Sequence, residues 1–509
     1  MRRYADRNLP EVERATRLGT VRGVERAGAH SFWGLRYAQP TRRYEPPEPA
    51  TAWHGVYDAT RHRPMAPQAP FLNVLGDPPE GGMSEDCLHL NVHLPATAPA
   101  APRPVLFFIH GGALTGGAAN QYDGSALAVG ADAVVVCANY RLGIFGGLDL
   151  DRFGPPYEGS GELWLRDQIM ALHWVRDNIA DYGGDPGCVT VMGESAGATS
   201  ALALCASPAA AGLFHRAMSN SGGNPAIEPP AVDRIAEIAR IKKIGPEDVL
   251  DFLLSAPTGE LLQMSMDNTR LAPSAVCGTA LLPGPVPALI RDRGAGAVPL
   301  VAGFAAHEGD SLDFLIGEAG IRGPMGFLAR HLIARAVAAT NAGGRSGLRG
   351  YLRRLRGTHR AWAGARFNDL VWTDLYRRGA VENALATTEA GSRGYVYVLD
   401  VPCRIGERRM RSTHGVDLSL TFNPWADPDA EGGGLADHPD APALANRWVA
   451  MLARFARTGD PSGPLGDWPV YDARTRPTLV IAPGESRIEY DRDPEYRTSV
   501  WSVPGAAPV

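Results

Sequence analysis

The sequence is poor in lysine, in excess charge of either sign and in long apolar runs. Of its 50 basic residues only Lys242 and Lys243 are lysines, a bias that indicates a GC-rich, bacterial genome. The net charge is −5, so the composition gives no basis for a nucleic-acid partner or an anionic membrane. No apolar run approaches the roughly 20 residues that a membrane-spanning helix needs. These features indicate an ordinary globular protein.

Cysteines are also few, and none is spaced as a metal site or a disulfide framework requires. The chain has 6 cysteines, of which Cys137 and Cys188 fall in apolar, strand-like runs where a buried thiol is common. The N-terminus begins with a basic pair but has no apolar core of the kind that a secretory signal contains. We therefore expect reduced thiols and a cytoplasmic protein.

Short apolar runs alternate with amphipathic stretches, which is typical of a mostly parallel sheet with crossover helices. Buried strands are predicted at 104–109, 133–139, 188–193, 216–221, 299–304 and 395–400, with a helix between the second and third of these that ends at Gly183 and Gly184. Alternating residues at 88–94 predict an antiparallel strand at the edge of the sheet. We predict a single domain over 1–509, with helical insertions at 225–298 and 310–390 that cover a substrate pocket.

The pentapeptide from Gly193 to Gly197 has the pattern Gly-x-Ser-x-Gly, with Ser195 at its centre. Alone the pattern is weak, because the chain contains 59 glycines. Here it directly follows an apolar strand and precedes a helix-prone segment, which is the context of a nucleophile elbow. A side chain two positions before or after the serine would clash in so sharp a turn. The alternative is a serine that caps the helix.

A second motif, from His110 to Ala113, follows the predicted strand 104–109. Its small residues allow backbone N–H groups to approach a substrate oxygen, as an oxyanion hole requires. A glycine pair after a strand is often only a loop. Upstream of an elbow, however, it fits the loop that supplies oxyanion donors in α/β hydrolases. Ala196, next to the serine, would supply a further N–H group.

An acid and a histidine should follow the serine in chain order. Glu308 follows the strand 299–304 and so lies at a carboxyl end, where open α/β sheets bind ligands; a solvated loop acid is the alternative. The histidines after it are His331, His359, His414 and His438. His414 is favoured because it lies beside Gly415 in a loop after the strand 395–400, although a lone histidine of this kind is more often a surface residue.

A metal centre is the main chemical alternative to a serine nucleophile. His89 and His93 share one face of a predicted strand with Asn91, and a solvated strand face accounts for all three. The sequence has no His-Glu-x-x-His motif and no phosphate-binding Gly-Lys-Ser/Thr loop. We therefore predict that no metal or cofactor takes part.

Taken together, these motifs resemble the type-B carboxylesterase family, which includes cholinesterases and bacterial esterases that act on nitrobenzyl esters. The likeness extends over almost the whole chain, at 19–23, 32–38, 84–88, 91–92, 139–143, 167–168, 183–186, 193–197 and 455–461. It implies the α/β-hydrolase fold, with a large, mostly parallel central sheet flanked by helices and with helical insertions over the active site.

The resemblance also implies an activity and the residues that perform it. Ser195 would hydrolyse carboxylic esters through an acyl-enzyme, with His414 as general base and Glu308 orienting it. The further residues implied are those of the oxyanion hole, Gly111, Gly112, Ala113 and Ala196, and two supporting residues, Glu194 and Ser221. The expected partner is a small-molecule ester, with no nucleic acid and no membrane, and the chain is expected to act as a monomer or homodimer.

Some positions depart from the family pattern and leave the substrate open. Leu114, Glu162 and Trp164 replace residues that are usual in the family, and Leu114 and Trp164 are expected to set the range of esters accepted. Asp417 stands where the family often has Glu. The same triad acting on amides, thioesters or carbamates, or a catalytically silent binding relative, remain the alternatives.

Overall fold

The computed structural model describes residues 9–39, 42–69, 80–225, 233–273, 275–311, 323–341, 348–359, 364–405, 408–424, 435, 438–482, 484–492 and 494. The chain forms two compact units, Met1–His215 with Pro229–Pro283, and Arg216–Glu228 with Gly284–Val509.

The first unit contains strands β1 to β8 and helices α1 to α7. The strands are Glu11–Thr16, Gly19–Arg26, Ala29–Arg36, Val56–Asp58, His89–Pro95, Arg103–Ile109, Val134–Ala138 and Gly184–Glu194. The helices are Ser125–Ala131, Gly143–Gly146, Leu163–Asn178, Ala196–Ala206, Arg234–Lys242, Val249–Ser255 and Thr258–Asp267.

In the first unit the strands follow the order β1-β2-β3-β5-β7-β6-β8, with β4 beside β2. The pairing is antiparallel from β1 to β7, whereas β7, β6 and β8 run parallel. Every residue of β6 and β7 is buried, because strands covered on both faces need apolar side chains on both. The strands predicted at 104–109, 133–139 and 188–193 are confirmed, and β8 begins earlier than predicted, at Gly184.

Strand β5 corrects two predictions. It is antiparallel, as expected, but it lies between β3 and β7 rather than at an edge. His89, Asn91 and His93 are 2 %, 1 % and 0 % exposed, so the prediction of a solvated face is wrong. Neighbouring polar groups make this burial tolerable. The Ser31 hydroxyl lies 2.9 Å from Nδ1 of His93, and the Asn91 carbonyl oxygen accepts the Gly34 N–H group at 2.8 Å. Among the described residues, no three His, Cys, Asp or Glu side chains are arranged as metal ligands.

The helices of the first unit begin and end where local chemistry favours it. Helix α3 covers the predicted segment and continues as a 3-10 turn to Tyr182, which ends at Gly183 with φ +78°. The Asp233 carboxylate caps α5 by accepting the N–H groups of Ile235 and Ala236. Helices α5 to α7 bury a cluster that includes Phe145, Ile238, Leu253, Leu261 and Leu271.

The second unit contains strands β9 to β15 and helices α8 to α13. The strands are Arg216–Asn220, Leu300–Ala305, Gly394–Leu399, Cys403–Ile405, Arg408–Met410, Pro477–Ile481 and Arg487–Tyr490. The helices are Val286–Asp292, Gly323–Asn341, Leu348–His359, Gly364–Glu389, Asp417–Phe422 and Ala441–Thr458.

Strands β9, β10, β11 and β14 of the second unit are parallel neighbours, and β15 follows β14 antiparallel. The strands predicted at 216–221, 299–304 and 395–400 are thus confirmed, whereas β14 was not predicted. Helix α13 buries one apolar face with residues at helical spacing, Leu444, Trp448, Met451, Leu452 and Phe455. In the part of the chain that the structure describes, no helix is both long and apolar enough to cross a bilayer.

Helices α5 to α8 fall within 225–298, and α9 to α11 fall within 310–390. The described parts of both segments are therefore rich in helices, and their status as insertions stays a prediction. Helix α11 contributes Phe367, Val371 and Leu385 to an apolar cluster with Tyr351 and Val396. It is thus part of the core of the second unit, while the covering of a substrate pocket by these segments stays a prediction.

Candidate active site

Ser195 stands at the junction between β8 and α4, in the first unit. Its φ of +56° and ψ of −121° are rare for a residue with a side chain, and such strain persists only where the surrounding structure imposes it. The Ser195 side chain makes no capping hydrogen bond to α4, so the alternative interpretation as a helix cap is wrong. The residue is partly exposed, which leaves its hydroxyl accessible.

The two glycines of the motif are required by close backbone approaches. A Cβ atom added to Gly193 would lie 2.4 Å from the carbonyl of Gly197. One added to Gly197 would lie 2.0 Å from the carbonyl oxygen of Ile109, at the end of β6. Both distances are far below van der Waals contact, so only glycine lets the strand turn directly into α4, as the sequence predicts.

The segment after β6 forms a tight loop with an unusual backbone. Gly112, Ala113 and Leu114 have φ values of +111°, +55° and +59°. The Leu114 side chain is 6 % exposed, whereas Ala113 is exposed. Three successive residues with positive φ turn the backbone sharply. A loop of this kind can present neighbouring N–H groups in one direction.

Polar contacts at both ends fix this loop. The Gln68 side chain accepts the Gly117 N–H group at 2.8 Å and donates to the Gly117 carbonyl at 2.9 Å. At the other end the Tyr140 hydroxyl donates to the His110 carbonyl at 2.9 Å. The rings of Tyr140 and His110 also stack, with centroids 4.4 Å apart. The loop is therefore held rigidly, as stabilisation of a developing charge requires.

The loop also lies against the elbow. A Cβ atom added to Gly111 would lie 2.6 Å from Oε2 of Glu194 and 3.0 Å from Cβ of Ser195. Among the described residues, the N–H groups of Gly112, Ala113 and Ala196 donate to no acceptor. These three donors are thus available to an oxygen atom of a ligand, as the sequence analysis expects of an oxyanion hole.

In the second unit Glu308 and His414 form a buried acid–histidine pair. Oε2 of Glu308, which follows β10, lies 2.7 Å from Nδ1 of His414, and the Glu308 side chain is fully buried. Its other oxygen accepts the Ser221 hydroxyl at 2.6 Å and the Ala305 N–H group at 2.7 Å. A carboxylate only accepts hydrogen bonds, so Nδ1 of His414 carries the proton and Nε2 of the neutral ring is the basic atom.

Two further residues adjoin this pair. The ring of Tyr376, on α11, stacks on the His414 imidazole with centroids 4.8 Å apart and planes inclined by 21°. The sequence did not indicate this contact, because nothing near Tyr376 in the sequence distinguishes it from other helical aromatic residues. Asp417 is buried, and burial together with the negative charge of Glu308 raises its pKa to about 6.

Three residues of the first unit depart from the family pattern, Leu114, Glu162 and Trp164, and all three are buried. Trp164 is only 2 % exposed, at the start of α3. Glu162 is buried and bonds to the Thr279 hydroxyl, and burial raises the pKa of its carboxyl group. Control of the substrate range by Trp164 and Leu114 stays a prediction, but Trp164 is also a core residue.

The structure thus brings the predicted site residues together in two groups. The first unit holds Glu194, Ser195 and Ala196 beside the loop that contains Gly111, Gly112 and Ala113. The second unit holds Ser221, Glu308 and His414. A serine in a strand-to-helix turn, backbone N–H groups without an acceptor and an acid–histidine pair are features that serine hydrolases combine.

Comparison with known proteins agrees with these features. The family model described as "Carboxylesterase family" matches residues 10–498. The para-nitrobenzyl esterase of Bacillus subtilis (strain 168) is 32 % identical over 94 % of this chain and 96 % of its own. Mouse liver carboxylesterase 1 is 31 % identical over 89 % and 86 % of the two chains. A solved PNB esterase structure superposes with a TM-score of 0.82 at 31 % identity, covering 96 % of this chain and 99 % of the other.

These likenesses define the class first. The fold is that of the α/β hydrolases, a large, mostly parallel sheet flanked by helices. The match over nearly the whole chain then gives the family: the chain belongs to the carboxylesterase family. It is a carboxylic ester hydrolase that uses the serine hydrolase mechanism general to this family.

Proposed function

We propose that Ser195, His414 and Glu308 form the catalytic triad of this esterase. The observation that carries the proposal is the 2.7 Å contact between Nδ1 of His414 and a fully buried Glu308 carboxylate. Such a carboxylate fixes the imidazole tautomer and stabilises the imidazolium that forms during catalysis. The strained backbone at Ser195, in the motif of a nucleophile elbow, supports it as the nucleophile.

In the proposed mechanism Oγ of Ser195 attacks the ester carbonyl carbon while Nε2 of His414 takes the hydroxyl proton. The carbonyl oxygen becomes an oxyanion, which accepts hydrogen bonds from the N–H groups of Gly112, Ala113 and Ala196. His414 then returns the proton to the departing alcohol and leaves an acyl group on Ser195. Water, deprotonated by His414, releases the carboxylic acid and regenerates the serine.

We propose small carboxylic esters as substrates and no metal or cofactor. The carboxylesterase family and its named relatives support the ester class. The name of the Bacillus relative makes para-nitrobenzyl esters the first compounds to test. Amides, thioesters and carbamates share the acyl-enzyme chemistry and are the second candidates. A screen over acyl-chain length and alcohol size, with and without chelator, tests each class.

Covalent labelling tests the proposed nucleophile most directly. A fluorophosphonate probe should label the enzyme at Ser195, and peptide mass spectrometry should locate the adduct there. Labelling and esterase activity should both disappear in Ser195→Ala. The exposed Ser255, on α6, provides a matched control, because Ser255→Ala should retain both. An adduct elsewhere, or an active Ser195→Ala enzyme, would refute the assignment.

We further propose one catalytic domain whose segments 225–298 and 310–390 are insertions that cover the substrate pocket. A single cooperative unfolding transition supports one domain, whereas two separate transitions contradict it. Proteolytic nicks in these segments should change ester selectivity before they abolish activity.

We also propose a bacterial, cytoplasmic enzyme that acts as a monomer or homodimer without nucleic acid or membrane. The buried free thiols of Cys87 and Cys137 suit a reducing compartment, and the net charge of −5 offers no attraction to anionic surfaces. Cell fractionation and light scattering of the purified protein test these statements.

A further inference from the structure

Two loops of the second unit carry the acid–histidine pair. The acid loop, residues 306–311, contains Glu308, and the histidine loop, residues 411–415, contains His414. The two loops are hydrogen-bonded to each other at two points. The His307 N–H group donates to the Ser412 carbonyl at 2.9 Å, and the Ser311 N–H group donates to the Thr413 hydroxyl at 2.8 Å. The distance between acid and histidine therefore depends on how these loops are held.

One carboxylate on α11 contacts both loops. Oδ2 of Asp369 lies 3.0 Å from Nδ1 of His307 in the acid loop and 3.1 Å from Nη2 of Arg411 in the histidine loop. The Asp369 side chain is 11 % exposed, compared with 33 % for His307 and 51 % for Arg411. Asp369 is thus a mostly buried carboxylate that side chains from both loops contact.

The other oxygen of Asp369 reaches the catalytic acid through one hydroxyl group. Thr373, one turn further along α11, donates to Oδ1 of Asp369 at 3.2 Å and accepts the backbone N–H group of Glu308 at 3.2 Å. The acid loop also packs directly on this turn of the helix. A Cβ atom added to Gly309 would lie 2.5 Å from Cα of Asp369. The loop is therefore fixed to α11 by both packing and hydrogen bonds.

We propose that Asp369 is a positioning residue for the Glu308–His414 pair, and this inference rests on the proposed function. Its carboxylate clamps the acid loop through His307 and Thr373, and the histidine loop through Arg411. Arg411 also bonds to Asp310 of the acid loop, with Nε at 2.9 Å from Oδ2. Asp310 joins only the two loops to each other, whereas Asp369 joins both of them to the helix.

The charges favour this arrangement. Burial of Asp369 works against its ionisation, but the hydrogen bond from His307 and the positive charges of His307 and Arg411 hold the pKa of Asp369 below its ordinary value. The group is therefore a carboxylate at neutral pH. Its removal leaves a half-buried imidazole and a guanidinium with one partner fewer, and each loop loses one of its attachments to α11.

We expect the loss of the Asp369 carboxylate to lower the rate of catalysis rather than to weaken substrate binding. A displacement of about 1 Å in a catalytic group can lower a rate roughly a hundredfold. We expect Asp369→Asn to lower kcat about 10- to 100-fold while KM changes less than about threefold, because Asp369 acts through Glu308 and His414. Asp369→Glu, which keeps the charge, should recover a substantial part of kcat.

Glu382 provides a matched control on the same helix. Its side chain is 12 % exposed and bonds to Arg378 at 2.6 Å, so Glu382→Gln also removes a buried, paired charge from α11. Each variant should be measured for kcat, KM, melting temperature and the downfield proton resonance of the Nδ1–H group between His414 and Glu308. We expect the resonance to broaden or shift in Asp369→Asn and to stay unchanged in Glu382→Gln.

The outcomes separate this inference from the proposed function. Parental kcat and an unchanged resonance in Asp369→Asn would overturn the positioning role, as would an equal loss of kcat in Glu382→Gln. If Asp369→Asn does not fold, Thr373→Val replaces it, with an expected loss of kcat of about 3- to 10-fold at constant KM, and parental kcat there would overturn the role. His414→Ala is measured in parallel, because an active His414→Ala enzyme would instead refute the triad itself.

Discussion

Gly111 and Ser195 approach each other so closely that a methyl group on Gly111 would lie 3.0 Å from Cβ of the serine. The loop with the proposed oxyanion donors and the turn with the proposed nucleophile are therefore in contact at a position that has room only for hydrogen. One glycine fixes the spacing between the two, and this spacing decides whether the donors reach the oxygen of a tetrahedral intermediate.

We expect Gly111→Ala to lower kcat at least a hundredfold, because the loop must move away from Glu194 and Ser195 to admit the methyl group. The loss of one oxyanion donor in a serine protease of a different fold costs a factor of about 100 to 1,000. Steady-state kinetics on an aryl ester measures the effect. Gly259→Ala is the control, since a Cβ atom there meets nothing within 4 Å and activity should be unchanged. Equal activity of the two variants would contradict the role of the loop.

Glu308 should be the acid of the triad rather than Asp310 or Asp417. Glu308→Gln is expected to lower kcat by orders of magnitude, because an amide can select the wrong imidazole tautomer and cannot stabilise the imidazolium. Asp310→Asn and Asp417→Asn should each lower it less. The comparison requires melting curves that show all three variants folded. A folded Asp310 or Asp417 variant that is less active than Glu308→Gln would transfer the role to that aspartate.

Ser195 and His414 should act as one unit. Ser195→Ala and His414→Ala are each expected to remove nearly all turnover, and the double variant should be little worse than either alone. A residual rate above that in water should survive, because the backbone N–H groups of Gly112, Ala113 and Ala196 are unchanged. Effects that multiply in the double variant would show that the two residues act independently.

Buried histidines should make the fold sensitive to acid. Burial lowers the pKa of His89 to about 4, with a contribution from the charge of Arg36, and burial lowers that of His110 to about 4. The unfolded chain, with histidine pKa values near 6.5, binds more protons than the folded chain between these limits. Each buried neutral histidine therefore makes its full contribution to the free energy of unfolding above about pH 6.5. This contribution, about 3 kcal/mol for each such group, is lost as the pH falls toward 4.

Denaturant unfolding between pH 7.5 and 4.5 measures this slope. His89→Asn should be less stable at pH 7.5 but should lose less further stability on acidification than the parent. The exposed His54 supplies the control, because His54→Asn should keep the parental slope. Identical slopes in the parent and His89→Asn would mean that His89 does not couple folding to protonation.

Trp164→Ala is expected to lower the free energy of unfolding by about 3–5 kcal/mol, because it removes a large side chain that is only 2 % exposed and leaves a cavity. Urea unfolding monitors the stability, and rates on esters of increasing size monitor selectivity. A broader substrate range without a lower unfolding midpoint would show that the indole borders the substrate instead of the core.

The features that the sequence predicted best are local in the chain. Six strands were recognised because each is a short apolar run, and the elbow was recognised because Gly193, Ser195 and Gly197 satisfy the steric needs of one turn. Glu308 was proposed because it lies in the loop after β10. In each case the residues that determine the local structure are neighbours in the sequence, so a short sequence pattern is enough to predict it.

The features that were missed depend on contacts between distant segments. Nothing in the alternation of β5 reveals that it lies between β3 and β7 or that its polar face is buried. His89 and His93 were therefore placed in solvent, although His93 is buried beside the Ser31 hydroxyl. Tyr376 and Asp369 look like ordinary helical residues, because their partners lie in loops dozens of positions away. Tertiary hydrogen bonds of this kind leave no periodic signal.

Asp369, Thr373 and Tyr376 are four and then three residues apart, so they lie on one face of α11. This face supports the acid loop, the backbone of Glu308 and the ring of His414. Insertion or deletion of a single residue within this part of the helix would rotate the following groups by about 100° relative to those before it. An engineered change of length between these three positions should therefore be tolerated less well than one elsewhere, because it alters the rotational phase of one helix.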